Sequence, residues 1–587
     1  MAITKDINLR PGVVKDDTEL ESQPRWHDSN RIRFVRGKPQ PIGGWDDLVS
    51  DLAFEGTCRG LFGWLGADNN ARLALGTSEH LYALVAETLF NITPLADSGS
   101  LGTDPFTTVS GSADITVNDA THARVVDDNV SFAGATTFNG VTPNGDYNVK
   151  SVIDGDNYVI EHTSAATASG SGGGASVTYE YEISLGRESA ALGSGYGVGG
   201  YGQSTYGTPR SSYVILPPLV WFLDQWGEYL VACPLGGSIY EWQLSTSTRA
   251  QLLANAPTPN TGIFVTVEKH LVALNAGGQN MRVEWSDQDD NTVWAPSDIN
   301  TAGGRTLVGG NRLLFGMRTR FGNVLFSDTA LFSMTFVGGL DVFGFDTLAS
   351  GAAGIYGPRA AVELQGTVYW MGNDDFYMYD GSVRSMPGSS DNRRFVFDNI
   401  NDIERGKVFA WANSRFKEIW FFYVDTSDDE IGRYIKYNIE DKSWDVGALV
   451  RTAAIDIGVF RSPLATTDDG RLAEHEIGFN DFGAAMNEYI ISSPLPQFSE
   501  GHTITEVLSI IPDFTTPGNL NVSLLTREYP QADQLEVNYG VITATTKKLD
   551  KKSDGRIIQL KLWTDDTKDD PWTAGRFKFD LLAGGDR

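Results

Sequence analysis

The stretch 286–294 is the part of the chain that comes nearest to a known chemical motif. The Asp-box of sialidase-type enzymes has the pattern Ser-x-Asp-x-Gly-x-x-Trp, but here Gln288 stands at the Asp position and the stretch has no glycine. Starting at Asp287, the first, third and fifth residues have the spacing of an EF-hand calcium loop, yet Thr292 replaces the required glycine. The stretch therefore predicts neither a sialidase site nor a calcium site.

Other residues suited to catalysis or metal binding are few and scattered. The two cysteines, Cys58 and Cys233, are too few for a disulfide framework or a cysteine-based zinc site. The seven histidines form no HExxH or HxH pair, and no GxxxxGK[ST] or GxSxG motif occurs. The sequence therefore predicts a protein that is not an enzyme, with no catalytic residue, no cofactor and no metal site.

The charge of the chain is strongly acidic and unevenly spread. Its 587 residues carry a formal net charge of −29, and residues 97–185 alone hold twelve acidic and two basic side chains. Proteins bind DNA by neutralising phosphates with Lys and Arg, so this balance disfavours a sequence-reading DNA binder. No run of 18 apolar residues and no signal-peptide core is present, which predicts a soluble chain without a membrane span.

Basic residues are concentrated near the start, in the sequence NRIRFVRGK. Arg31, Arg33 and Arg36 alternate there with apolar residues, which predicts a strand with one wet face. On an acidic protein such residues favour docking onto an acidic neighbour, and we predict them as subunit or channel contacts. The alternative is a solvated strand edge protected by charge.

Short strands parted by polar turns recur along most of the chain. Residues 57–92 hold four such strands, as a propeller blade requires, because each blade is a four-stranded antiparallel meander. Spacing of roughly 40 to 50 residues between units fits blades. The candidate units are 57–92, 219–244, 263–294, 311–336, 361–387, 409–447 and 455–481. The pattern predicts an all-β fold built on a β-propeller of seven blades, or six if the chain ends share one.

Composition shifts divide the chain into five parts. The Ser-, Thr- and Gly-rich stretch still has strands and hairpin turns, which predicts a small β-barrel or sandwich inserted at a loop. The last part alternates apolar residues with turn signals and predicts a β-sandwich. The predicted parts are 1–96, N-terminal strands and first blade; 97–185, inserted domain; 186–212, Gly/Tyr-rich loop; 213–494, remaining blades; and 495–587, C-terminal sandwich.

Three tyrosines punctuate the Gly/Tyr-rich loop. Tyr196, Tyr201 and Tyr206 are five residues apart, and each is followed by glycine. A period of five matches neither a strand nor a helix, so the stretch is predicted to be a long loop. It is either a linker returning from the inserted domain or a set of subunit or channel contacts.

Several of these segments together resemble a known family. They are GTSEHLYAL, the Tyr-Gly loop, RVEWSDQDDNTVWAPSDINTAGG, HEIGFND, SDGRIIQLKLW and WTAGRFKFDLLAGGDR. In pattern and order they are similar to the tail nozzle, or tail tubular, proteins of short-tailed bacteriophages (podoviruses). Under this resemblance Trp285, Ser286, Asp287 and Trp294 are structural residues of the family pattern.

The resemblance implies a structural virion protein of the viral tail. It would form a hexameric ring below the tail adaptor protein, with tail fibres or a tail plug as further partners, and serve genome retention and DNA ejection. Genomic DNA would pass through the lumen without specific binding, because an acidic wall releases no counterions to hold it. Two other classes stay open: a glycan-binding or glycan-cleaving β-propeller, and a host scaffold or receptor propeller.

Overall fold

A computed structural model describes residues 3–50, 52–193, 214–339, 341–495, 504–516, 519–564 and 571–583. These residues form an almost entirely β structure. Five strands precede the first repeat: β1 (Ile3–Ile7), β2 (Trp26–Asn30), β3 (Ile32–Val35), β4 (Lys38–Pro41) and β5 (Trp45–Asp47). Strands β3 and β4 form a hairpin, while the other three join sheets made mainly by distant parts of the chain.

The first repeat is a four-stranded antiparallel sheet, as predicted. Its strands are β6 (Cys58–Leu65), β7 (Ala71–Thr77), β8 (Leu81–Val85) and β9 (Thr88–Asn91). Strands β7 and β8 are buried along almost their whole length, because a blade packs a neighbour against each of its two faces.

The inserted domain follows directly and has a core of its own. Its two sheets have the strand orders β10-β18-β13-β14 and β15-β16-β12-β11-β17. Phe106, Tyr158 and Tyr181 are buried among its core residues. The strands are β10 (Leu95–Ser100), β11 (Phe106–Thr108), β12 (Asp114–Asn118), β13 (Asn129–Ala133), β14 (Gly145–Asn148), β15 (Ser151–Val152), β16 (Asn157–Glu161), β17 (Gly170–Gly172) and β18 (Thr178–Glu182).

The chain returns to the propeller through a short strand pair, β19 (Ala191–Gly193) and β20 (Val214–Leu216). Three further blades follow, each an antiparallel meander in sequence order. The strands are β21 (Trp221–Trp226), β22 (Tyr229–Pro234), β23 (Tyr240–Trp242) and β24 (Gln251–Leu252); β25 (Gly262–Val265), β26 (Leu271–Leu274), β27 (Arg282–Trp285) and β28 (Gly303–Thr306); and β29 (Leu313–Thr319), β30 (Gly322–Ser327), β31 (Ala330–Phe336) and β32 (Phe343–Ser350).

The fifth and sixth blades have the same plan. They are β33 (Ala361–Leu364), β34 (Thr367–Met371), β35 (Phe376–Tyr379) and β36 (Val383–Ser385), then β37 (Phe409–Asn413), β38 (Glu418–Tyr423), β39 (Arg433–Asn438) and β40 (Ser443–Ala448). The described helices are short: α1 (Arg393–Phe397) and the 3-10 turns Ala276–Gly278, Ser389–Asp391 and Arg405–Lys407. Within the described ranges no helix has the length and apolar character needed to cross a bilayer.

The seventh blade is completed by a strand from the other end of the chain. Its own strands are β41 (Ala453–Ile455), β42 (Leu464–Thr466), β43 (Leu472–His475), β44 (Asn480–Asp481) and β45 (Ala484–Ala485). Strand β5 pairs antiparallel with β43, placing Trp45 opposite His475. This sharing does not lower the blade count to six, because the six preceding blades are complete without it. The fold is a seven-bladed β-propeller, which confirms the predicted fold class.

The C-terminal sandwich also takes strands from the N-terminal segment. Its two sheets have the orders β1-β54-β47-β51 and β2-β46-β52-β49-β50. The predicted boundaries 1–96 and 495–587 assigned the first strands elsewhere, and a sequence read in order gives no sign of this long-range pairing. The strands are β46 (Tyr489–Ser492), β47 (Thr505–Ile511), β48 (Phe514–Thr516), β49 (Leu520–Arg527), β50 (Leu535–Ile542), β51 (Leu549–Gly555), β52 (Ile557–Trp563), β53 (Thr573–Ala574) and β54 (Phe577–Ala583).

Tryptophans fix the contacts between blades. The Trp221 indole on the second blade donates a hydrogen bond to the Thr77 carbonyl oxygen of the first blade at 2.9 Å. Its ring lies against Gly76, where an added Cβ would come within 2.3 Å of Trp221 Cγ. Glycine at position 76 is therefore required by this close approach, and the pair holds the first two blades in register.

Candidate functional site

The first candidate site is the channel along the propeller axis. A cavity of about 340 Å³ lies on this axis. It is surrounded by the innermost strand of each blade: β6, β21, β25, β29, β33, β37 and β41. In its described lining the one carboxylate is Asp224, which pairs with Arg318 at 2.8 Å and accepts the Val265 N–H. Burial raises the pKa of Asp224 despite Arg318. Glycoside hydrolysis normally uses two carboxylates flanking the scissile bond, and this lining supplies one, already engaged.

The start of the innermost strands marks one mouth of the channel, where a network of ion pairs lies. The Arg59 guanidinium donates to both carboxylate oxygens of Glu430, at 3.1 and 2.6 Å. The Lys407 ammonium lies 3.3 Å from carboxylate oxygens of both Glu404 and Glu430. Burial raises the pKa of Glu430, but the Arg59 hydrogen bonds and charge lower it more, so the net shift is downward. The two cations therefore favour the ionised form of Glu430.

The chain's own return segment is hydrogen-bonded to this network. The Ala190 N–H donates to Glu404, at 3.0 Å to one carboxylate oxygen, and the Ser189 hydroxyl accepts from Lys407 at 2.9 Å. The Glu188 carbonyl accepts from Arg59 at 3.2 Å, and its side chain bonds Thr57. The Glu404 carboxylate is buried beneath these contacts, whereas the Glu430 side chain is 28% exposed. The arrangement is suited to fastening the segment after the inserted domain onto the propeller.

A second cavity, of about 570 Å³, lies between the first blade and the inserted domain. Its acids include Glu55 and Glu79 from the blade side and Glu161 and Glu182 from the inserted domain. Its volume is within the usual range for small-ligand sites, about 300 to 1,000 Å³. This cleft is an acidic site between two parts of the chain.

His80 lies at the wall of this cleft and joins its two sides. Its Nδ1 is 2.9 Å from a Glu182 oxygen, and its Nε2 is 3.3 Å from a Glu55 oxygen. Burial lowers the pKa of His80, but hydrogen bonding and charge from Glu182 and Glu55 raise it more, so the pKa lies above its ordinary value. The His80 imidazolium therefore links the inserted domain to the first blade.

Glu79, unlike Glu55 and Glu182, makes no ion pair within the described ranges. Burial raises the pKa of Glu79. The charge of His80 lowers this pKa, the charges of Glu55 and Glu188 raise it, and the net pKa lies above its ordinary value. Ligand atoms of Glu55, Glu79 and His80 lie within 4.8 Å of one another. The three could approach one cation, but both ring nitrogens of His80 already face carboxylates. No sequence motif indicates this group, because Glu55 is separated along the chain from Glu79 and His80.

The three predicted arginine contacts have different surroundings. Arg31 donates to Asp481 at 2.9 Å and lies over the Trp45 ring. Arg33 is only 1% exposed and binds Glu418 and Glu476, so it cannot reach a neighbouring subunit. The predicted wet face of this strand is therefore wrong, because buried acids from remote blades neutralise the guanidinium. Arg36 is exposed at the turn between β3 and β4 and stays a predicted contact.

The family-pattern residues lie together on the third blade. Trp285 and Ser286 are buried, and Trp294 donates its indole N–H to the Asn291 carbonyl at 2.7 Å. Asp287 accepts from the Thr301 amide and hydroxyl, at 2.7 and 2.6 Å. These side chains shape the connection between β27 and β28. The predicted contacts Tyr196, Tyr201 and Tyr206 lie outside the described residues.

A charged cluster that the sequence did not reveal holds the N-terminal hairpin on the sixth blade. Lys436 donates to the Ile32 carbonyl at 2.8 Å and pairs with Glu418 at 3.2 Å and Asp445 at 3.1 Å. Arg33 completes the cluster. The only signal in the sequence was a lysine and an acid within otherwise apolar strands.

Comparison with known proteins gives structural similarity alone. No protein-family model matches the chain. No curated protein matches it either. Among solved structures, phage phi92 endosialidase is 10% identical with a TM-score of 0.15, and the match covers 84% of this chain and 64% of that one.

Two further solved structures are carbohydrate-active enzymes by name. An exo-β-1,3-galactanase from Phanerochaete chrysosporium is 10% identical with a TM-score of 0.22, over 62% of this chain and 95% of the enzyme. A family 43 arabinoxylan arabinofuranohydrolase from Bacillus subtilis is 8% identical with a TM-score of 0.23, over 90% of this chain and 97% of the enzyme. None of the three is a tail nozzle protein. Overlaps at such scores carry no argument about activity.

Proposed function

We propose that this chain is a structural, non-catalytic β-propeller protein that forms the distal tail nozzle of a short-tailed bacteriophage. The observation that carries the non-catalytic part is the lining of the axial channel, whose one described carboxylate, Asp224, is paired with Arg318. Residues 188–190 are fastened beside the start of the innermost strands by Arg59, Lys407 and Glu404. The resemblance of the segments around Trp285 and at the C-terminus supports the tail assignment.

The small size of the axial cavity favours a DNA conduit that lies between subunits. A cavity of about 340 Å³ interrupted by the Asp224–Arg318 pair has the size of a small-ligand pocket. DNA would therefore pass through the lumen of a ring of propellers, the hexamer that the resemblance implies, and not along any propeller axis. A chain of net charge −29 would give that lumen an acidic wall that does not retain phosphates.

The test of this proposal is the location of the protein on purified particles. Gold-labelled antibody against the inserted domain, residues 95–182, should mark the tail tip, and particle imaging should show a ring there. An antibody against the major capsid protein serves as the control for accessible epitopes. Intact particles without the protein, or with the protein outside the tail, contradict the proposal.

Glycan binding or cleavage is the second candidate, because one observation favours it. Oxygens of Glu55 and Glu79 lie within 4.8 Å of each other in the open cleft, near the roughly 5 Å separation of retaining glycosidases. A raised pKa, as Glu79 has, is what a general acid needs. If the purified protein depolymerises host surface polysaccharide, Glu79→Gln should abolish this activity and Glu440→Gln should not. Absence of depolymerisation leaves the structural role.

A further inference from the structure

We propose that the groove beside the C-terminal sandwich, lined by Arg10, Arg36, Lys38 and Arg576, binds the 295–300 loop of a second copy of this chain. The inference rests on the proposed ring and deepens it by naming the surfaces in contact. The groove has a volume of about 540 Å³ and lies between the N-terminal segment, the β3–β4 hairpin and the sandwich.

The groove is basic on a protein that is otherwise acidic. Its described lining has four cations and one acid, Asp513, and none of the four cations has a carboxylate at ion-pair distance among the described residues. By contrast, Arg33 and Arg59 are paired with carboxylates of their own chain. Unpaired cations of one sign in one groove create a potential that attracts an acidic partner.

The floor of the groove is apolar and distinguishes the occupant. Trp26, Pro39 and Phe577 are among its lining residues. A phosphate backbone offers no apolar group to such a floor, whereas a polypeptide loop can offer an acidic and an apolar side chain together. These features favour a loop that carries both.

The third blade presents a loop of that kind. Ile299 is 96% exposed, and Asp298 beside it has no side-chain partner within the described ranges. The loop is held by Asn300, whose side chain donates to the Ala295 carbonyl at 2.9 Å and accepts the Ser297 N–H at 3.0 Å. A loop already fixed in shape loses little conformational freedom on binding, and a fully exposed isoleucine gains from burial.

The two surfaces lie on opposite sides of the molecule, so the loop cannot fill the groove of its own chain. The groove adjoins the sixth blade, because the Gly37 N–H beside it donates to Asp441 in the β39–β40 turn at 3.1 Å. The loop belongs to the third blade, which is three blades away from the sixth in a ring of seven. A contact between two different surface patches is heterologous. When such a contact repeats head to tail, it generates a ring if the rotation between subunits closes.

Sedimentation velocity of the full chain tests the proposal, from about 1 to about 100 µM protein. Wild type should associate in about 0.05 M salt and dissociate in about 0.5 M salt, because salt screens exposed charges. The groove variant Arg36→Glu/Arg576→Glu and the loop variant Asp298→Lys/Ile299→Ser should each associate at least about tenfold more weakly. The control Arg394→Glu, at an exposed arginine of α1, should associate like wild type.

Mixing the two double variants gives a sharper result. One keeps only its loop and the other only its groove, so the mixture should form dimers and nothing larger. A wild type that stays monomeric at about 100 µM, or variants that associate like wild type, overturns the proposal. Loss of binding to a labelled single-stranded DNA with unchanged self-association also overturns it, and assigns the groove to nucleic acid. The location of the protein on the virion is measured separately. If the protein lies in the tail but the groove variants associate like wild type, only this contact is refuted.

Discussion

Replacing Asp445 by asparagine should change how the stability of the protein depends on pH. Asp445 is buried in the sixth blade beside Lys436 and Glu418. The cluster of Arg33, Lys436, Glu418, Glu476 and Asp445 contains two cations and three carboxylates, so it is balanced only when one acid is protonated. Burial raises the pKa of Asp445 to about 7, with Lys436 opposing and Glu418 adding to the shift.

The direction of the effect follows from which state holds the proton. In the unfolded chain Asp445 titrates at its ordinary pKa of 3.8, so between that pH and about 7 only the folded protein is protonated there. The free energy of unfolding therefore falls as the pH rises across this window, by ~1.4 kcal/mol per pH unit and ~4 kcal/mol in total. Below pH 3.8 the contribution is fully present, and above about 7 it is lost.

Urea unfolding followed by tryptophan fluorescence, at pH values from about 5 to about 8, measures this dependence. Wild type should lose stability across the range, and Asp445→Asn should lose less, by the slope of one proton. Asp346→Asn, at an exposed acid of β32, is the matched control and should follow wild type. Parallel profiles for wild type and Asp445→Asn would refute the reasoning, because they would mean that Asp445 is ionised throughout.

Two further perturbations test the ionic contacts. Arg33→Met should destabilise the protein by ~3–5 kcal/mol in the same urea assay, because it leaves Glu476 buried without its ion-pair partner and Glu418 with Lys436 alone. Arg36→Met at the exposed turn should change stability by less than ~0.5 kcal/mol, and equal effects would contradict the buried network. The His80 link to Glu182 should be fully present below pH 6.5 and lost as the pH rises through the elevated pKa of His80. Limited proteolysis within residues 95–182 should then accelerate between about pH 6 and 9 in wild type, but less in His80→Asn. His162→Asn is the control and should respond like wild type. If His80→Asn responds to pH as wild type does, the link carries no stability.

The repeated strands could be predicted because their signal is local. Alternating apolar residues and turn residues in 57–92 determine four strands wherever the blade lies, and the inserted domain was visible for the same reason. The local pattern left undecided whether the chain ends share a blade, because Trp45 of β5 and His475 meet only when the ring closes. Pairing of β1 and β2 with the C-terminal sandwich was not foreseen, since nothing in their sequence names a partner.

The sites were harder to predict than the strands. The alternation around Arg33 suggested a wet strand face, but its charge is matched by Glu418 and Glu476 from two later blades. Likewise the link between Glu55, His80 and Glu182 is assembled from three separate elements. A single sequence records residue types but not which distant charges come together, and buried ion pairs depend entirely on that. Trp285 and Asp287 both bond Thr301, so their contacts lie within one loop, and their role as family-pattern residues stays a prediction.

The closure of the last blade by β5 has a consequence for biosynthesis. The Trp45 indole donates to Asp481, a residue 436 positions later. At ~5–20 residues per second a ribosome needs roughly 20 to 90 s to make the intervening chain. During that time the opening strands are exposed with unmet backbone groups while earlier blades already fold. The nascent polypeptide must therefore keep its first segment from premature association, and the ring locks only when the final blade emerges.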